Sequence, residues 1–166
     1  MSIAPTPSFR STSESEAEYV GARMTVDAFL DIPDGGHFYE LVDGVVIMSP
    51  SPTPKHQRVA MRIAYLIGDY LEKNPVGELF AEIDVHLGKG PQGGDLVYRP
   101  ELVFIRSERM AGMEERIIGA PDMVLEVISR GSRRIDTGTK KDDFERFGVR
   151  EYWLADPAHK TIVFID

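Results

Sequence analysis

Residues 119–157 read GAPDMVLEVISRGSRRIDTGTKKDDFERFGVREYWLADP, and this stretch decides the fold. Residues 123–128 form an almost uninterrupted apolar run, the mark of a strand buried on both faces. A basic turn follows, then a helix that the residue pattern starts at a cap near Asp136 or Thr137 and stops at Gly148. EYWLADP reads as another strand, ended by Pro157. Strand, helix and strand in succession predict a mixed α/β domain around a central sheet. One residue breaks the apolar run. Glu126 stands inside it, and a carboxylate in a buried strand is costly unless paired or coordinated.

Upstream, the reading is consistent with that frame. MTVDAFLDIP carries a short apolar face from Met24, Val26, Phe29 and Leu30. FYELVDGVVIMS alternates around Asp43-Gly44, a two-residue hairpin turn. PSPTP (50–54) is a rigid spacer, because each proline biases its predecessor away from helix. Over residues 55–73, Val59, Ile63, Leu66, Ile67 and Tyr70 recur every three or four positions and predict an amphipathic helix. GELFAEIDVHLG reads as one strand with Leu79, Ala81, Ile83, Val85 and Leu87 on one face. KGPQGG (89–94) is a turn, and a further strand is clearest over 102–105. TIVFID is a last strand. No internal repeat is present. Residues 1–22, rich in Ser, Pro, Thr and Glu, read as a disordered arm before a domain spanning 23–166.

Composition narrows the function classes. The 166 residues suit one domain, 42% are hydrophobic, and cysteine is absent, which excludes disulfides, thiolate metal sites and a cysteine nucleophile. No apolar run is long enough to span a membrane, and the first residues lack a signal peptide's apolar core, so a cytoplasmic protein is expected. Net charge is −8, contrary to a protein that coats DNA through phosphate contacts alone. A nuclease is compatible with it, because acidic groups there collect metal ions. Residues 129–150 reverse the balance, with seven basic side chains against four acidic.

Glu101 opens the strand Leu-Val-Phe-Ile, as Glu126 interrupts Met-Val-Leu-Glu-Val-Ile. If the two strands are neighbours, the carboxylates converge, and like charges at short range raise a pKa or recruit a cation. Oxygen ligands without sulfur favour Mg²⁺ or Mn²⁺. The alternative for either glutamate is an edge-facing or salt-bridged residue.

The stretch 119–157, with Glu-Val-Ile-Ser, Asp136 four residues before Lys140, and Gly-Val-Arg-Glu-Tyr-Trp-Leu-Ala-Asp-Pro, resembles the Uma-two family of restriction endonucleases, a branch of the PD-(D/E)XK nuclease superfamily. MTVDAFL, FYELVDGVVIMSPSPTPKHQRV and RPELVFI resemble its other landmarks in the same order, so the likeness spans about 24–166. It implies a restriction-endonuclease-like mixed sheet flanked by helices. It also implies a metal-dependent endodeoxyribonuclease acting on DNA with Mg²⁺ or Mn²⁺. Glu101 falls where the family usually has Asp. Glu126 matches the second acid, and Lys140 matches a lysine displaced from the strand, where Ile128 now stands, with Lys141 beside it. Glu40 matches a further acidic position. By this likeness Glu101, Glu126 and Lys140 are catalytic, and Glu101, Glu126 and Glu40 hold metal. Arg130, Arg133, Arg134 and Lys141 would face DNA phosphates.

A homodimer is expected, since one such site cuts one strand and the terminal apolar strands offer a surface. The second expectation is a catalytically inactive binding or scaffold protein that keeps the fold. His56, at the head of the long helix, reads first as a cap or hydrogen-bond partner and second as a catalyst. Asp84 and His86 are minor ligand candidates, while Asp122, His37 and His159 read as structural. Tyr152 and Trp153 read as core or interface aromatics. Neither a phosphate-binding glycine loop nor a Gly-x-Ser-x-Gly elbow is present.

Overall fold

The computed structural model describes residues 18–33, 37–111, 113 and 116–165. Most of the arm expected over 1–22 lies outside them. Residues 18–22 are described, and they hydrogen-bond to the first hairpin through Gly21 N to Val46 O and Val46 N to Ala22 O.

Among the described residues, ten strands and three α-helices make a mixed α/β fold of two five-stranded sheets. The first sheet has the order β2-β1-β5-β4-β7. It holds β1 (Tyr39–Val42), β2 (Val45–Met48), β4 (Val85–Lys89), β5 (Asp95–Tyr98) and β7 (Ile117–Ile118). The hairpin joining β1 to β2 turns at Asp43 and Gly44, with φ of 51° and 77°. Positive φ at both central positions is the geometry that lets a two-residue turn follow the strand twist. The second sheet has the order β10-β9-β8-β6-β3. It holds β3 (Gly77–Ala81), β6 (Leu102–Arg106), β8 (Met123–Val127), β9 (Glu151–Asp156) and β10 (Thr161–Ile165). Within it β8 and β9 run parallel, and the other pairs are antiparallel.

The expected single strand over 77–88 is two strands in different sheets. The apolar alternation persists, but Glu82 adopts φ 51° and redirects the chain between β3 and β4. That backbone state is rare for a residue with a Cβ, so composition gives no warning of it.

Helix α1 (Val26–Leu30) is capped by Thr25, and α2 (Pro54–Lys73) by Thr53, whose hydroxyl accepts from His56 N. Proline at the first helical position has no N–H to leave unpaired. On α2, Ala60 and Ile63 pack on Leu102, Met123, Leu125 and Val127 of the second sheet. Leu66 and Tyr70, counted above with its apolar stripe, face solvent instead.

Residues 133–146 form the crossover between parallel β8 and β9. This helix starts earlier than expected. Ser132 N donates to Ser129 Oγ and Ser129 N to Ser132 Oγ, so two serines form the cap. A π-helical turn spans Ile135–Thr139 before α3 (Lys140–Arg146). Phe144 of α3 is wholly buried between the sheets with Val103, Val124, Tyr98 and Leu154. Each such side chain contributes about 1.5–3 kcal/mol by burial.

Candidate active site

Strand period sends Met123, Leu125 and Val127 of β8 toward α2, and Val124 and Glu126 toward the space under α3. The β6–β8 pairing sets Leu102 opposite Leu125 and Val103 opposite Val124. One more step in that register puts Glu101 opposite Glu126. The neighbouring strands inferred from the two acids are therefore present.

Lys140, at the start of α3, reaches back over this point. Its Nζ lies 2.7 Å from Glu40 Oε1, 2.9 Å from Glu126 Oε1 and 3.9 Å from Asp136 Oδ1. It also stands over the Tyr98 ring. All four side chains are buried. Glu40, on β1, is held from every side, since its Oε1 also accepts from Arg99 N and its Oε2 from Ser49 Oγ. Below, Tyr98 donates to Asp143 and Tyr152 to the Asp136 carbonyl, fixing α3 against the sheets.

One ammonium serves three acids. Burial pushes Asp136 above the usual carboxylate range, with Lys140 pulling the other way. Burial likewise raises Glu126, to about 8, against the pull of Lys140. On Lys140 burial works toward the neutral amine, but Glu126, Glu40 and Asp136 together outweigh it and hold the cation. The centre is thus short of positive charge. Glu101 lines the same pocket and is raised to about 7, chiefly by burial and then by Glu82.

With this geometry in view, sequence likeness gains meaning. Residues 26–165 match the Uma2 family, described as "Putative restriction endonuclease". The chain belongs to the Uma2 family. None of the curated proteins matches it. Its fold matches that of a solved structure described as a putative nuclease belonging to DUF820 from Anabaena variabilis ATCC 29413. The TM-score is 0.72 at 22% identity, over 86% of this chain and 79% of that one. That likeness shows the fold.

In this Uma2 protein, Glu101, Glu126, Lys140 and Glu40 all line one pocket, together with His56, Glu82, Arg99, Ser129, Ser132 and Asp136. The expectation is that Glu101 and Glu126 hold the ion with Glu40 assisting. Among the described residues no group of three or more His, Asp or Glu side chains is placed to hold a metal ion. The reason is Lys140, whose ammonium contacts both Glu40 and Glu126. The donor chemistry still fits a hard divalent ion, because Mg²⁺ is commonly held by one or two carboxylates with water and phosphate completing its shell. Glu101 and Glu126 would be those two.

Of the expected DNA-facing residues, Arg130 and Arg134 are exposed beside Ser129 and Ser132. Arg133 is paired with Asp156 at 2.7 Å, and Lys141 with Glu145 at 2.8 Å. Asp84 binds Arg99, and His86 lies near Asp95. A helix cap is expected near Asp136 or Thr137, but Asp136 lies inside the helix instead and lines the pocket. Its spacing of four from Lys140 was the available signal, since such residues share a helix face.

Proposed function

We propose that this protein is a metal-dependent endodeoxyribonuclease that hydrolyses DNA phosphodiester bonds. The observation that carries the reading is the 2.9 Å contact between Glu126, from a central strand, and Lys140, from the crossover helix, in the pocket that Glu101 also lines. Glu101 and Glu126 would hold Mg²⁺ or Mn²⁺. Such an ion, when bound, lowers the pKa of a coordinated water and offsets charge on the scissile phosphate.

The chain's own groups do the rest. Lys140, kept cationic by three acids, orients the attacking water or stabilises charge that builds up at phosphorus. Glu40 anchors that ammonium, and its three contacts fix its own carboxylate. Arg130 and Arg134 take backbone phosphates, while Arg133 and Lys141 join after releasing Asp156 and Glu145. Acidic charge elsewhere confines binding to this basic edge.

A second copy would supply the second site that a double-strand cut requires. Ile162, Val163 and Phe164 of β10 are exposed and form the surface for it. The compartment that fits is the cytoplasm, where DNA is available. Among the described residues no helix is long and apolar enough to cross a membrane.

One observation favours a second reading, a catalytically inactive binding or scaffold protein. The Lys140 ammonium contacts two of the acids expected to hold metal. Incubation of plasmid and single-stranded DNA with Mg²⁺ or Mn²⁺ separates the two. The parent should cut, and Lys140→Ala should slow cutting by about 10²–10³-fold, as for loss of a group that stabilises transition-state charge. Full-rate cutting by that variant rules out the lysine assignment. A parent that neither cuts nor melts higher with Mn²⁺ leaves the scaffold reading, since an ion bound only by the native state must stabilise it.

A further inference from the structure

Glu126 and Glu40 are each pinned by hydrogen bonds, but Glu101 is not. It precedes β6, carries one more methylene than aspartate, and its carboxylate has a single close partner among the described residues. That partner is His56, whose Nε2 lies 3.2 Å from Glu101 Oε1. His56 is 8% exposed, in the first turn of α2. Its backbone N–H is taken by Thr53 Oγ1, which with Pro54 fixes where the helix begins and so where the ring projects. Its Nδ1 is buried and makes no hydrogen bond. A buried polar ring is costly without partners, and besides the backbone at Val127 and the nearby charge of Glu82, this one meets Glu101, an acid of the pocket. The expected role as a cap belongs to Thr53.

We propose that His56 is the positioning residue for Glu101: its Nε2–H donates to Oε1 and fixes the longer acid in the pocket. This rests on the metal-dependent reading above and adds to it the group that compensates for glutamate where aspartate is usual. Carboxylates that hold ions are oriented by hydrogen bonds from groups behind them, and losing such a group weakens metal binding about 10–100-fold.

The test is Mn²⁺ affinity of the full chain by titration calorimetry at one pH, with melting in metal-free buffer as the check on folding. His56→Asn, whose amide stops where Nδ1 stood, should weaken Mn²⁺ binding by about 10–100-fold. His56→Gln places an amide nitrogen where Nε2 stood and should recover most of that loss. In a Glu101→Gln background His56→Asn should add nothing, because the histidine acts through Glu101. Equal losses for Asn and Gln, independent losses in the double variant, or parent-like binding by His56→Asn each overturn the proposal. If the Asn variant does not fold, His56→Gln decides alone, and a loss of tenfold or more overturns it. A parent that binds no Mn²⁺ overturns the nuclease reading and this proposal together. A parent that binds it while His56→Asn does so equally overturns this proposal alone.

Discussion

The two ends of β8 hold acids that are equally buried and differently served. Asp122, just before the strand, is 4% exposed, as is Glu126 near its far end. Around Asp122 stand two guanidinium groups, Arg109 at 3.0 Å and Arg106 at 3.8 Å, and the Arg106 backbone N–H donates to Oδ2. Two cations serve one acid. Around Glu126 the ratio is inverted, with Lys140 shared among Glu126, Glu40 and Asp136. Burial alone calls for the first arrangement, because a buried charge is costly unless it is paired and hydrogen-bonded. An acidic excess maintained at cost is what a site awaiting a cation needs, and perturbed carboxylates cluster at such sites.

The sharpest way to break the contrast is Lys140→Met. Removing the ammonium leaves three buried acids without it, and losing one partner of a buried pair costs about 3–5 kcal/mol. Urea unfolding at pH above neutrality should show that loss. It should shrink as the medium is acidified, because protonated acids no longer need the ammonium.

At the other end, Asp122→Asn removes charge but keeps an acceptor for Arg106 N. It should cost about 1–3 kcal/mol, the usual range for a buried bond to a charged group. Mn²⁺ affinity should stay at the parent value, and a change there would erase the distinction between the two ends.

The smallest effect belongs to Glu101→Gln in metal-free buffer. Glu101 is raised from 4.5 to about 7 in the fold, mainly by burial. A raised acid binds more protons folded than unfolded, so its contribution is full below pH 4.5 and is lost as pH climbs through 7. Glutamine has no such proton. The variant should melt with the parent at the acidic limit, then exceed it by a few degrees above neutrality. A constant gap across the range would mean that Glu101 is not burdened by burial.

Much of this was legible in the chain and some was not, for identifiable reasons. Glu126 stood out because a single charge interrupts a run of five apolar residues, and strand period alone sets its face. The hairpin at Asp43-Gly44 and the helix after Thr53 were legible because local chemistry decides them. The break at Glu82 was hidden, since the residues 79, 81, 83, 85 and 87 continue one alternation across two sheets. The helix start was read near Asp136 or Thr137 because Asp and Thr are favoured caps, and only the pairing of Ser129 with Ser132 moves it upstream. The π-helical turn depends on which carbonyl each N–H finds, which composition does not encode. That Lys140 reaches between Glu40 and Glu126 was hidden too, because it depends on how the crossover helix seats, which residue spacing does not carry.

The cation and the acid it serves ride on different elements. Glu126 is anchored on β8, a strand paired on both sides, whereas Lys140 hangs from a helix whose first turn is tethered by Arg133 to Asp156, at the surface corner between β9 and β10. Natural drift or deliberate engineering at that corner can therefore slide the ammonium along a stationary acid. The seat of a buried ammonium is thus set in part by a contact at the surface.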